Sequence, residues 1–306
     1  MLDRGQLEAF AAIVEHQSFD RAASALNVTR SAISQRIKAL EEALCAVLLI
    51  RERPVLPTRV GEIVLRHVNA VRLLEQEIYL QVTPDDKRRE RVRLAVAINA
   101  DSLATWFGDC CKAMLEALPV ALEVLVEDQN HTWPMLLRGE VVGCVCAEPK
   151  PAPGFEAIYL GAMEYRCVST AAFADAHFPD GLRVREAIAV PAILFNRKDS
   201  LHDDFLKRLL GVEIERYVKH YFPSPVALLN AIQTGSGYGI VPAGQVKAQL
   251  ESGELIDLAP SLPLRVPLYW HHWRQEPPLA RRVTEFIAGA AKVALLAETP
   301  DGLSGD

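Results

Sequence analysis

The chain has 306 residues, half of them hydrophobic, and a formal charge of −6 from 33 Lys/Arg against 39 Asp/Glu. That length accommodates two or three compact units, and the apolar content excludes a largely disordered chain. A net negative chain does not coat nucleic acid indiscriminately, so any contact with DNA must come from a local patch.

The opening residues MLDRGQLEAF lack the charged-then-apolar layout of a secretion signal, and no apolar run is long enough to cross a bilayer. A cytoplasmic location with no membrane partner is expected. Cysteines stand at Cys45, Cys110, Cys111, Cys144, Cys146 and Cys167. One vicinal and one alternating pair suit neither a disulfide framework nor the Cys-x-x-Cys spacing of zinc sites. They read as buried thiols in a reducing compartment, with a thiol sensor as the alternative.

Leu7, Phe10, Ala11 and Val14 recur at helical spacing up to the polar turn Glu15-His16-Gln17. Ser18 caps a second predicted helix, whose inner face is Phe19, Ala22, Ala23 and Leu26. After Asn27-Val28, Thr29 caps a third helix to Leu44, with Ile33, Ile37, Leu40 and Leu44 on one side. Ser31, Gln35 and Lys38 lie opposite, with Ser34 at the edge. Short helices with alanines at their crossing form a helix-turn-helix, although a plain three-helix bundle has the same periodicity.

The apolar run Val47 to Ile50 leads into Arg51-Glu52-Arg53-Pro54 and a second short apolar piece before Pro57-Thr58. A hairpin with cations at its tip is a wing placed against phosphates or the minor groove; a solvated basic loop is the alternative. From Arg30 to Arg59 there are six Lys/Arg against three Asp/Glu, a modest positive patch. The candidate DNA contacts are Arg30, Ser31, Ser34, Gln35, Lys38, Arg51 and Arg53.

The stretch LEAFAAIVEHQSFDRAASALNVTRSAISQRIKALEEAL, followed by PTRVGE with its Thr58/Gly61 pair, resembles the winged helix-turn-helix of LysR-type transcriptional regulators. Arg30-Ser31 stands where most of that family has Gln-Pro, so base preference does not carry over. Cys45-Ala46 replaces the glycine usual after the third helix.

Thr58 caps a long helix to about Val82, in which Val60, Val64, His67, Val71, Leu74 and Ile78 alternate four and three apart. A 3.5-residue period is the seam of a two-stranded coiled coil, so a homodimer or homotetramer is expected, with His67 as a tolerated polar pair. Pro84 to Arg91 reads as a solvated linker. Beyond it, Val92 to Ile98 alternates as a strand, Asn99-Ala100-Asp101-Ser102 follows with a helix to about Leu118, and Leu122–Val126, Trp133–Arg138 and Val141–Cys146 read as strand, helix and strand. That order implies a parallel sheet with ligands beyond its strand ends, at Asn99–Ser102 and Asp128–Asn130.

A second α/β unit spans about Met163 to Leu262, with strands near Tyr165–Val168, Ala192–Phe195, Glu215–Tyr221 and Gly239–Val241, and helices from Ser200, Ser224 and Ala243. A strand through Val266–Trp270 and a helix from Pro278 to about Leu296 return to the first unit. Two sheets joined by two crossings form a cleft of the periplasmic-binding-protein kind, which the LysR resemblance also implies. The fold expected is α/β: a winged helix-turn-helix (residues 1–57), a dimerisation helix and hinge (58–90), lobe I (91–162 and 265–306) and lobe II (163–264).

NADSLATW (from Asn99), VED (from Val126), RGEVVG (from Arg138), SGELIDL (from Ser252) and LYWH (from Leu268) resemble the ArgP/LysG branch of the family. That resemblance implies an effector that is lysine or arginine and control of basic amino-acid export. An amino-acid ligand needs N–H or hydroxyl groups for its carboxylate, for which Ser102, Thr105 and Ser224 open predicted helices. Simple capping is the competing role. Its cationic end needs acids, from Asp101, Glu127, Asp128, Asp199, Asp203 and Asp204; Asp128 and Asp199 follow strands, with Asp101 third. His202 lines the pocket or is a capping or surface histidine, and Trp106 is wall or core.

Gly235-Ser236-Gly237-Tyr238-Gly239 lacks the Lys-Ser/Thr of a P-loop and precedes a strand, so it reads as a tight turn. His271 and His272 are neighbours on a strand and point apart, against a metal site. No cofactor, nucleophile-base pair or metal set is found, so an enzyme is not expected. The partners expected are double-stranded DNA, a basic amino acid and further copies of the chain, with RNA polymerase as a candidate. An architectural protein that bends AT-rich DNA without an effector is the alternative.

Overall fold

The computed structural model describes residues 2–82, 91–126, 129–214 and 216–297. Glu127, Asp128, Glu215 and the expected linker up to Glu90 lie outside the described residues. The chain packs as two units: Met1–Ala97, Ala117–Cys144 and His272–Thr284 form the first, and Ile98–Glu116, Val145–His271 and Glu285–Asp306 the second.

The first unit opens with α1 (Arg4–His16), α2 (Phe19–Ala25) and α3 (Arg30–Leu44). The side chains of Asp3, Ser18 and Thr29 accept hydrogen bonds from the backbone N–H of Gln6, Arg21 and Ala32, each cap being worth about 1 kcal/mol. Phe10, Ile13, Ile33, Ile37 and Leu40 are fully buried in one core, and Ala22 and Ala23 let α2 cross it closely. Cys45 ends α3 in the left-handed region, at φ 49°, where a glycine would carry no Cβ penalty. Its exposure contradicts the buried-thiol expectation, because the cap residue turns away from the core; Cys110, Cys144, Cys146 and Cys167 are buried as expected.

β1 (Leu49–Ile50) and β2 (Leu56–Pro57) pair antiparallel and form the wing. α4 (Arg59–Val82) follows, capped by Thr58, whose Oγ1 accepts from Gly61 N at 3.0 Å and donates to the Val47 carbonyl at 2.7 Å. The helix has two apolar faces. Val64, Leu65 and Val68 join the core of the helix-turn-helix, whereas Val60, Ile63, Leu74 and Ile78 are exposed. The expected seam is therefore corrected at one position: Ile63 takes the place of Val64, which faces inward one residue, or 100°, further round the helix.

In chain order there follow β3 (Val92–Ala97), α5 (Ala100–Ala104), α6 (Phe107–Ala117), β4 (Val120–Leu125), α7 (Gln129–Arg138), β5 (Gly143–Cys146) and β6 (Phe155–Thr170). Next are α8 (Ala171–His177), α9 (Val184–Ala189), β7 (Ala192–Leu194), α10 (Leu201–Leu210), β8 (Lys219–Tyr221), α11 (Pro225–Gln233) and β9 (Tyr238–Pro242). The chain closes with α12 (Ala243–Ser252), β10 (Leu255–Asp257), β11 (Leu264–Trp273) and α13 (Pro278–Ala294).

In the first unit β3 pairs parallel with β4 and β5, as strand-helix-strand order requires. In the second unit β6 runs antiparallel to β9 and β10, while β7 lies parallel to β8 and β9. The single helix expected after Asn99–Ser102, running to about Leu118, is instead broken into two, α5 and α6. Thr105 has ψ −87° there, and its hydroxyl donates to the Asp101 carbonyl at 2.7 Å. The glycine-rich segment before β9 is the expected tight turn: Gly235 has φ +75°, and a Cβ on Gly237 or Gly239 would collide with the backbone of Pro191 or Ile193.

Candidate functional site

α3 presents Ser31, Ser34, Gln35 and Lys38 to solvent, opposite the buried Ile33, Ile37 and Leu40. Ser34 Oγ donates to the Arg30 carbonyl at 3.0 Å, so one of the candidate readers is turned back on its own helix. Arg30 pairs with Asp20 at 3.3 Å and Lys38 with Glu42 at 3.8 Å. Both pairs are solvent-exposed and worth under about 1 kcal/mol, so a phosphate displaces them at little cost. Arg51 is held more firmly: Glu41 Oε2 takes its guanidinium at 3.0 Å while Oε1 accepts Leu48 N at 2.9 Å. That carboxylate braces the wing against α3. Arg53 is exposed at the wing tip.

The second cluster lies in the second unit. Asp101, in the first turn of α5, accepts a hydrogen bond at Oδ2 from the Tyr165 hydroxyl at 2.8 Å. Burial, and then the charge of Asp199, push its carboxyl above the usual range, while the phenol opposes the shift. Asp199 lies just before α10 and accepts Leu201 N at 2.9 Å through Oδ1. Burial, and then Asp203 and Asp204, push its carboxyl up as well. No cation among the described residues pairs with Asp101 or Asp199. Two half-buried acids repelling one another are a poor structural arrangement and a good receptor for a positive group.

The other acids are engaged elsewhere. Asp203 holds Lys219 at 2.9 Å and accepts from the Tyr217 hydroxyl at 2.6 Å, and Asp204 accepts from Ser200 Oγ at 2.9 Å. Ser102 is fully buried and its Oγ has no partner among the described residues, so it does not cap its helix. α5 packs against α11. At the start of α11, Ser224 Oγ accepts from Ala227 N at 3.4 Å, so capping occupies that side chain. Thr105 is also turned back on its own helix and faces a separate 260 Å³ cavity together with Trp106, Met163 and Leu296.

His202 is neither a surface nor a capping histidine. It is 2% exposed, stacked on Tyr217 at 5.6 Å, and burial lowers its pKa to about 3, so it is neutral. Trp106 is core, edge-on to Phe107. His271 and His272 are buried and bound separately, to the Glu148 carbonyl and beside Glu276, and no metal-holding group of His, Cys, Asp or Glu occurs among the described residues. Tyr165 was not among the sequence candidates; a tyrosine 64 positions from its partner leaves no local signal.

Residues 5–62 match the family of bacterial regulatory helix-turn-helix proteins of the lysR type, and residues 85–292 match the LysR substrate binding domain. The chain belongs to the LysR family of DNA-binding transcriptional regulators. It is 41% identical over 303 residues to the HTH-type transcriptional regulator ArgP of Pseudomonas aeruginosa (strain UCBPP-PA14), covering 99% of this chain and 98% of that one. The structure of ArgP from Mycobacterium tuberculosis matches with a TM-score of 0.86 at 35% identity, over 97% of this chain and 100% of the other. Full-length LysG from Corynebacterium glutamicum with bound effector Arg matches with a TM-score of 0.83 at 33% identity, over 96% and 99%. The resemblance to the ArgP/LysG branch, read from the motifs after Asn99, is borne out by these relatives. They are regulators, not enzymes. No helix among the described residues is long and apolar enough to cross a membrane.

Proposed function

We propose that this regulator is controlled by a basic amino acid, arginine or lysine, whose cationic end binds Asp101 and Asp199. The observation that carries this reading is the pair of half-buried carboxylates with no cation paired to them among the described residues. The arginine bound to LysG, a relative at 33% identity, supports it. Ser102 supplies a hydroxyl next to Asp101, and the Val226 N–H in the first turn of α11 takes the carboxylate. His202 serves as a neutral wall, and Asp128 remains a proposed third acid.

DNA is read by Ser31, Gln35 and Lys38, while Arg30, Arg51 and Arg53 take phosphates. Two copies pair through α4, as a dimer or within a tetramer, in the cytoplasm, at genes for amino-acid export or metabolism and in contact with RNA polymerase. The proposed functional boundaries fall after residues 57, 90, 162 and 264. The effector acts by preferring one of two states of the protein, since a ligand shifts an equilibrium only by its differential affinity. Calorimetric titration of the purified protein with each of the common amino acids tests the assignment. Binding of arginine or lysine but not of neutral amino acids is expected; binding of neither basic amino acid overturns the effector assignment.

A further inference from the structure

Asp101 and Asp199 are held by different kinds of donor. Asp199 is pinned by the backbone N–H of Leu201 on Oδ1. Asp101 is pinned by a side chain, the Tyr165 hydroxyl on Oδ2, leaving Oδ1 for a ligand. Tyr165 lies on β6 with only 5% of its surface exposed. Its phenol remains a donor, because burial and the neighbouring Asp101 both disfavour the phenolate.

We propose that Tyr165 is a positioning residue of the effector site: its hydrogen bond fixes the Asp101 carboxylate in direction and keeps it ionised, ready for the cationic end of the effector. This rests on reading Asp101 and Asp199 as the counter-ions of that cation. A donor on a charged acceptor stabilises the ionised form. Without it, burial and the repulsion of Asp199 favour a protonated Asp101, and a protonated carboxyl attracts a cation poorly.

The surrounding charges leave this task to the phenol. On α10, Asp203 is neutralised by Lys219, Asp204 is held by Ser200, and His202 is neutral. On β6, Glu164 and Arg166 pair with each other at 2.5 Å. α11, packed against α5, has the sequence PVALLNAIQ and carries no titratable side chain.

The test compares the full-length wild-type chain with Tyr165→Phe by calorimetric titration with arginine and with lysine between pH 5 and 8. Tyr165→Phe should bind about tenfold more weakly at pH 7, the effect of losing one hydrogen bond to a charged group. The pH at which affinity falls to half should move upward, a change that a purely structural role would not produce. Asp101→Asn should weaken binding at least as much, and adding Tyr165→Phe to it should have no further effect. Equal affinity and an unchanged pH profile in Tyr165→Phe overturn the proposal.

If the wild type binds neither amino acid, the effector reading fails on its own account. Tyr165 is then judged by ¹³C-carboxyl NMR titration of Asp101 in the free protein. An upward shift of its midpoint in Tyr165→Phe sustains the positioning role, and an unchanged midpoint removes it.

Discussion

Gly61 stands so close to the carbonyl oxygen of Leu48 that a Cβ at this position would collide with it, and with Pro57 at 3.1 Å. The first turn of α4 thus rests directly on the wing, and Thr58 ties the same turn to Val47. Backbone cannot yield as a flexible side chain does, so Gly61→Ala should cost roughly 1–3 kcal/mol of stability. Gly289→Ala, where a Cβ meets open space on the exposed face of α13, should instead stabilise by about 0.5–1 kcal/mol. Chemical denaturation of both variants makes the comparison.

The exposed apolar face of α4 calls for a partner. Leu74 and Ile63 are 41% and 53% exposed, whereas Val64 is buried at 8% in the core of the helix-turn-helix. Leu74→Asp or Ile63→Asp should dissociate the oligomer and leave each chain folded. Val64→Asp should unfold the DNA-binding unit. Sedimentation velocity reads the first effect and circular dichroism the second; an oligomer indifferent to both seam substitutions would place the interface elsewhere.

On the DNA face, Gln35 and Arg53 should differ in kind. Gln35→Ala should relax base preference at one pair by roughly 1–3 kcal/mol. Arg53→Ala should weaken binding to all sequences and flatten the salt dependence. Equal losses on specific and random DNA from both would show the contacts to be assigned wrongly. Arg51→Ala should act differently again, through the brace it makes with Glu41 at 3.0 Å.

His202 links stability to acid. Burial, reinforced by Lys219, lowers its pKa from an ordinary 6.5 to about 3, against the pull of Asp203. The folded state therefore prefers the neutral ring. The stability it confers is fully present above pH 6.5 and is lost as pH falls from there toward 3, at up to about 1.4 kcal/mol per unit. Melting temperatures of His202→Phe should decline less steeply than those of wild type between pH 6 and 4.

The DNA-binding half was largely legible in the sequence because its determinants are local. Ser18, Thr29 and Thr58 each cap a helix within three residues, and Ile33, Ile37 and Leu40 repeat at the helical period. Val64 misled because α4 carries two apolar faces, and periodicity cannot say which one belongs to the same chain. β6 runs 16 residues where only Tyr165–Val168 alternated clearly, since Gly161, Ala162 and Met163 break its pattern. The break at Thr105 depends on a hydroxyl returning to Asp101, a conformation that propensity does not encode. The acids proposed for the effector site could be named from sequence, but which of them are engaged elsewhere could not be read there. Lys219 and Tyr217 withdraw Asp203, and Tyr165 supports Asp101, through contacts 14 to 64 residues apart.

Genomic footprinting with and without arginine and lysine, on wild type and on Asp101→Asn with Asp199→Asn, tests the central claim most directly. The account predicts that one or both amino acids alter the wild-type footprint, and that the double substitution leaves the protein on DNA but unresponsive. A wild-type footprint indifferent to both amino acids, or an undiminished response in the doubly substituted protein, would contradict it.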